Sequence, residues 1–127
     1  LLYWFSEGVT DYYTYLFLLR EGFLDLEKYA AKYNEFLNEY YSSPVRNASN
    51  ERVLQDFFKV YEVGKLPYRR GMFLAAKWNK IIREQSGGAK SLDDVMREIF
   101  RDAKTKKYGK LTKERIIAYF AKYAEHN

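Results

Sequence analysis

A chain of 127 residues, 47% of them hydrophobic and 31% charged, can bury an ordinary core as one domain, residues 1–127, without disulfides or a structural metal. The lack of cysteine excludes disulfides, thiol catalysis and cysteine zinc knuckles, and no apolar run reaches the length of a membrane span. A net charge of +5 comes from 22 basic residues scattered among 17 acidic ones without a recognition motif, which disfavours nucleic acid as a partner.

The chain opens Leu1-Leu2-Tyr3 with neither an initiator methionine nor a charged leader, so a piece of a longer protein is expected, with any targeting signal lying outside it. Apolar spacing is helical almost throughout, and only two prolines and seven glycines interrupt it. The pattern predicts an all-α fold, a compact bundle of about five to six helices.

The first helix is expected from Phe5 to Leu19, with Phe5, Val9, Tyr12, Tyr13, Leu16 and Leu19 at helical spacing. Tyr15, Phe17 and Leu18 fill much of its other side, which leaves Glu7, Thr10, Asp11 and Thr14 as a narrow polar strip. Gly8 inside this helix costs about 1 kcal/mol relative to alanine, so close approach of another backbone is expected there. Gly22 is a stop and Asp25 a cap for the second helix. That helix carries Leu26, Tyr29, Ala30, Tyr33, Phe36, Leu37 and Tyr40 as one stripe, with Lys28, Lys32, Glu35 and Glu39 facing away.

Ser42 to Ser49 reads as a polar loop, and Asn47-Ala48-Ser49 within it fits the short N-glycosylation pattern. A short helix follows from Asn50 to about Phe58. Val60 to Pro67 has no clean period and reads as an ordered loop, with Pro67 in the first turn of a helix from Tyr68 to Ser86. Gly87-Gly88 ends that helix, and Ser91 with Asp94 forms a capping box. Leu92, Val95, Met96, Ile99, Phe100 and Ala103 are the expected buried face of the next helix, closed by a basic turn from Lys104 to Lys107. Thr112 caps a last helix with Ile116, Ile117, Phe120 and Tyr123 inward.

A carboxylate on a mostly buried helix must be paired, hydrated or metal-bound, and Glu7 lies one turn from Asp11 on the same face. Pairing with one of the many Lys and Arg side chains is the plain alternative to metal ligation. Tyr68-Arg69-Arg70-Gly71 sets a phenol and two guanidiniums at a helix start, where they could face an anion or simply be solvated.

Three stretches carry a family resemblance. Trp4-Phe5-Ser6-Glu7-Gly8-Val9-Thr10-Asp11-Tyr12-Tyr13 resembles the Trp-x-Ser-Glu-Gly-Phe-Thr-Asp-Tyr-Tyr signature of the M61 (glycyl aminopeptidase-like) zinc metallopeptidases. More loosely, it is similar to the Trp-x-Asn-Glu-Gly segment of M1 aminopeptidases. Tyr68-Arg69-Arg70-Gly71 resembles the Tyr-x-Lys-Gly segment of M61 enzymes, and the run from Ser86 to Met96 is similar to their Ser-Gly-Gly-x-x-Ser-Leu-Asp-Asp-Val-Met. The resemblance extends from Tyr3 to about residue 125, and the motifs are specific as a set rather than singly.

The resemblance implies the C-terminal helical subdomain of a gluzincin, thermolysin-like peptidase acting on peptides near their amino termini. In such enzymes a His-Glu-x-x-His helix supplies two histidine zinc ligands and a general-base glutamate, and the third ligand is a glutamate on the next helix, which matches Glu7. The oxyanion-donating tyrosine matches Tyr68. Asp11, one turn beyond Glu7 and with Thr10 beside it, is placed by helix geometry more than by the motif to orient a histidine ligand. Arg69 and Arg70 depart from the usual residues and are candidate substrate contacts. No His-Glu-x-x-His occurs in this sequence, whose sole histidine is His126, and the family sets that motif roughly twenty residues before the glutamate, upstream of Leu1.

Zinc is therefore expected in the full-length protein and not tightly in this chain, with the upstream half of the catalytic domain as partner and the isolated chain inactive. An exposed apolar face left by that half could support self-association. The competing reading is a non-catalytic basic helical module whose 13 tyrosines serve contacts with protein or nucleic acid.

Overall fold

Why each helix starts and stops is written in its caps. The structure is a computed structural model that describes residues 2–124. A π-helical turn, Trp4–Val9, leads directly into α1, Thr10–Arg20. The other helices are α2, Leu26–Ser42, α3, Asn50–Asp56, α4, Tyr61–Gln85, α5, Leu92–Lys104, and α6, Lys113–Ala124. Among the described residues there is no strand, so the all-α expectation holds. No helix among them is long and apolar enough to cross a membrane.

The expected caps are in place. Gly22 takes φ +79° after α1, a left-handed conformation that glycine adopts without a Cβ penalty, and its N–H bonds the Leu19 carbonyl at 3.2 Å. Asp25 accepts the Lys28 N–H at 2.8 Å at the start of α2. Gly87 and Gly88 end α4 with positive φ, and Ser91 with Asp94 closes a reciprocal capping box on α5. Thr112 receives the Arg115 N–H at 3.2 Å ahead of α6.

Two expected boundaries differ. The first helix is not uniform: its beginning is wound as a π turn, a wider winding that recurs at functional sites and that apolar spacing alone does not separate from an α-helix. α4 begins at Tyr61, so Val60–Pro67 is helix rather than loop and Pro67 lies inside it. Pro67 deprives the Val63 carbonyl of its helical partner, yet Val63 and Leu66 are buried to 0% and 2% exposure. Tertiary burial of these side chains outweighs the proline, a result that local propensity could not anticipate.

Packing divides the chain into two compact units, residues 3–74 and the residues from Ala75 onward, with α4 contributing to both. In the first unit Val53, Val63 and Leu66 form a cluster against Tyr3, Tyr40, Val45, Ala48 and Phe57. Here the π turn meets α4 backbone to backbone. A Cβ built on Gly8 would lie 2.4 Å from Gly71 Cα and 2.6 Å from the Pro67 carbonyl oxygen, and one on Gly71 would lie 1.7 Å from the Trp4 carbonyl oxygen. The close approach expected at Gly8 is thus made by a helix of this same chain.

In the second unit Ile82, Leu92, Val95, Ile99, Ile116 and Phe120 are buried, and Trp78 stacks on Phe120 at 5.2 Å. The Asn79 side-chain oxygen accepts the Leu92 N–H at 3.0 Å, which fixes the start of α5 against α4. Some side-chain directions correct the expected stripes. Phe100 is 71% exposed and Ala103 is exposed, whereas Glu98 and Asp102 are buried in their place. Leu26 and Ala30 on α2 and Ile117 on α6 are exposed as well, while Glu39, expected to face away, turns toward α4. Apolar side chains remain exposed, including Phe23 at 78% and Phe58 at 88%.

Candidate active site

Glu7, Asp11, Tyr68 and Arg69 converge in the first unit, where the π turn and the first turn of α1 pack on the middle of α4. The convergence depends on the two glycines, because Gly8 adjoins Glu7 and Gly71 lies three residues beyond Tyr68. Glu7 is half-buried, and its carboxylate lies close enough to act on the Tyr68 phenol. Burial raises the Tyr68 phenol above its ordinary value, and the charge of Glu7 raises it further. The phenol consequently stays protonated and remains a donor across the neutral range. Behind it, Tyr68 lies parallel to Phe57 at 6.4 Å, and Phe57 stacks on Tyr3 at 3.9 Å.

Asp11 is held from the other side. Arg69 donates to its Oδ2 at 3.4 Å, and the guanidinium sits over the Phe36 ring at 3.7 Å. Burial raises the Asp11 carboxyl, Arg69 opposes that rise, and Glu7 adds to it. Two carboxyls that share a site thus have one guanidinium limiting their mutual repulsion. Arg69 Nε also lies 3.4 Å from Glu39, near enough for an ion pair but out of line for a hydrogen bond. Glu39 takes its good contact from Lys65, at 2.6 Å. Burial works against the Glu39 charge, but the hydrogen bond from Lys65 and the charges of Arg69 and Lys65 outweigh it and lower its pKa. The same bond raises Lys65, so the two partners shift in the opposite senses that an ion pair requires.

The other candidates lie differently. Arg70 donates to the backbone carbonyls of Arg46 and Ala48 at 2.8 and 2.7 Å, tying the Ser43–Ser49 loop to α4. Thr10 is exposed and donates to the Ser6 carbonyl, and Thr14 donates likewise to the Thr10 carbonyl at 2.9 Å. His126 lies outside the described residues. Reading by sequence missed Glu39, Lys65, Phe36 and Phe57. The signal for Glu39 was slight: one turn of helix separates it from Glu35, which does face solvent.

Fit to a zinc ion turns on the donors. Glu7 offers one hard oxygen ligand, but no group of three or more His, Cys, Asp or Glu among the described residues could hold a metal. This chain fits zinc as the source of one ligand and not as a complete site.

Fold and sequence together put the chain among helical domains related to peptidases, because the model of the M61 glycyl aminopeptidase family matches residues 1–122. The chain belongs to the M61 glycyl aminopeptidase family. No curated protein and no solved structure matches it.

Proposed function

We propose that this chain is the helical part of a zinc-dependent peptide hydrolase, in which Glu7 is the third zinc ligand and Tyr68 the donor to the oxyanion. The observation that carries the reading is that Tyr68 and Glu7, far apart in sequence and matching two separate family motifs, lie close enough for the Glu7 carboxylate to act on the phenol. The remaining ligands, two histidines, come from a His-Glu-x-x-His segment outside this chain, so the chain alone is inactive. When bound, zinc supplies an activated water and polarises the carbonyl to be attacked.

This chain's own residues hold and orient. Tyr68, kept protonated by burial and by Glu7, would donate its hydroxyl proton to the carbonyl oxygen as negative charge develops there. The stack of Tyr3, Phe57 and Tyr68 limits where that hydroxyl can go. Asp11 acts on a histidine ligand through its ring N–H, and Arg69 fixes the Asp11 carboxylate for that task. Arg70 holds the loop through the Arg46 and Ala48 carbonyls, and it is assigned with Arg69 to substrate contact.

The test uses a protein in which the histidine segment precedes this chain. Tyr68→Phe is expected to lower kcat for peptide hydrolysis by about 10²–10³-fold with little change in KM, the size typical of a lost oxyanion donor. Wild-type kcat in that variant would remove Tyr68 from the chemistry.

A further inference from the structure

The second unit contains a cleft that the peptidase reading does not use, and it shares no residue with the Glu7–Tyr68 pair. It lies among α5, the turn after it and α6, and encloses about 270 Å³, a little below the range of pockets that take drug-sized ligands. Two carboxylates line it, Glu98 and Asp102, one turn apart on α5 and only 8% and 9% exposed. Acidic residues are rarely so buried without partners.

Their partners are unequal. Glu98 is met by the Lys122 ammonium and by the Tyr123 hydroxyl at 2.6 Å, and is therefore neutralised by a cation. Asp102 is met by the Tyr119 hydroxyl at 2.6 Å, and no Lys or Arg among the described residues pairs with it. The opposite deficit faces it in the same cleft. Lys107 and Arg115 rest against the Tyr108 ring at 5.4 and 4.5 Å, Arg115 donates once to the Lys110 carbonyl at 3.1 Å, and neither pairs with a carboxylate among the described residues.

One cleft thus presents a buried carboxylate without an ion-paired cation and two cations without an ion-paired carboxylate among the described residues. A plain anion entering it would meet Glu98 and Asp102, and a plain cation would meet Lys107, Arg115 and Lys122. A molecule carrying both signs at separated ends meets each with its complement. The geometry points to a binding site for a zwitterion of amino-acid or dipeptide size, its ammonium on Asp102, its carboxylate on Arg115 and Lys107, and its body against Tyr108, Tyr119 and Ala118.

Titration of the 127-residue chain with glycylglycine, followed by the ring resonances of its tyrosines in NMR, tests the assignment. The free dipeptide should give saturable shifts at millimolar concentration, and blocking either end, as N-acetyl-glycylglycine or as glycylglycinamide, should weaken binding at least about tenfold, since each cap leaves one buried or aromatic-bound charge unmet. Arg115→Gln should weaken the free dipeptide by a similar factor. Absence of saturable shifts in the wild-type chain, or retention of full affinity by either capped form, would overturn the proposal whether or not the variant folds.

Discussion

Glu98 and Tyr119 show most directly how single residues in this chain are governed by what they touch. Burial works against the Glu98 charge, but the hydrogen bonds from Lys122 and Tyr123 and the charge of Lys122 outweigh it and lower its pKa. A lowered carboxyl stabilises the fold above the unfolded glutamate range, and that stability is lost as pH falls through the lowered value. Glu98→Gln should therefore flatten the acid limb of a denaturation profile measured between neutral pH and pH ~3, leaving the neutral limb less stable than wild type. Tyr119, pushed up to about 12 by burial and by its bond to Asp102, should lose about 1–3 kcal/mol as Tyr119→Phe, because Asp102 is left buried with its phenol gone; urea unfolding at neutral pH measures it. Neither residue was legible as a pair. Apolar periodicity assigned Phe100 and Ala103 to the buried face of α5, and burial of two carboxylates there depends on partners on α6, distant in sequence. Glu7 and Tyr68 were singled out for a different reason: each sits in one of a set of motifs that together are specific, and the structure brings the two side chains near each other.

Between the π turn and α4 there is no room for a methyl group. Overpacking by one methyl ordinarily costs about 1–3 kcal/mol, and the atoms a new Cβ would strike here are backbone, which cannot rotate away. Gly71→Ala is expected to reach the upper end of that range or to displace the turn, with a clear fall in Tm; a variant as stable as wild type would show that the approach is looser. Arg70→Gln tests another joint, the loop held by the Arg46 and Ala48 carbonyls, and should raise amide exchange between residues 43 and 49 while α5 and α6 keep their protection. Sequence punctuation read well at this scale, because Gly22, Asp25, Ser91 and Thr112 act through bonds to residues within a few positions. The start of α4 did not, since Pro67 signals a boundary locally while burial of Val63 and Leu66 carries the helix through it. The π turn likewise differs from an α-helix only in hydrogen bonds that span one residue more, too small a change for an apolar stripe to register.

For the molecule as a whole, membership of the M61 glycyl aminopeptidase family and the incomplete donor set belong together. On the proposed function, the Glu7 carboxylate, the protonated Tyr68 phenol near it and the Arg69 guanidinium on Asp11 would form a half-site to be completed by imidazoles from elsewhere. Exposed Phe58 and Tyr61, at 88% and 76%, leave apolar surface in the same unit, and self-association of the chain measured by analytical ultracentrifugation should increase with salt if this surface drives it. The central claim is that Glu7 ligates zinc, and chelator competition with a protein in which the His-Glu-x-x-His segment precedes this chain tests it most directly. Glu7→Gln is predicted to weaken zinc affinity by about a hundredfold or more, at least the loss seen when residues supporting a ligand are removed, with the helical fold intact by circular dichroism. Unchanged zinc affinity in that folded variant would contradict the assignment.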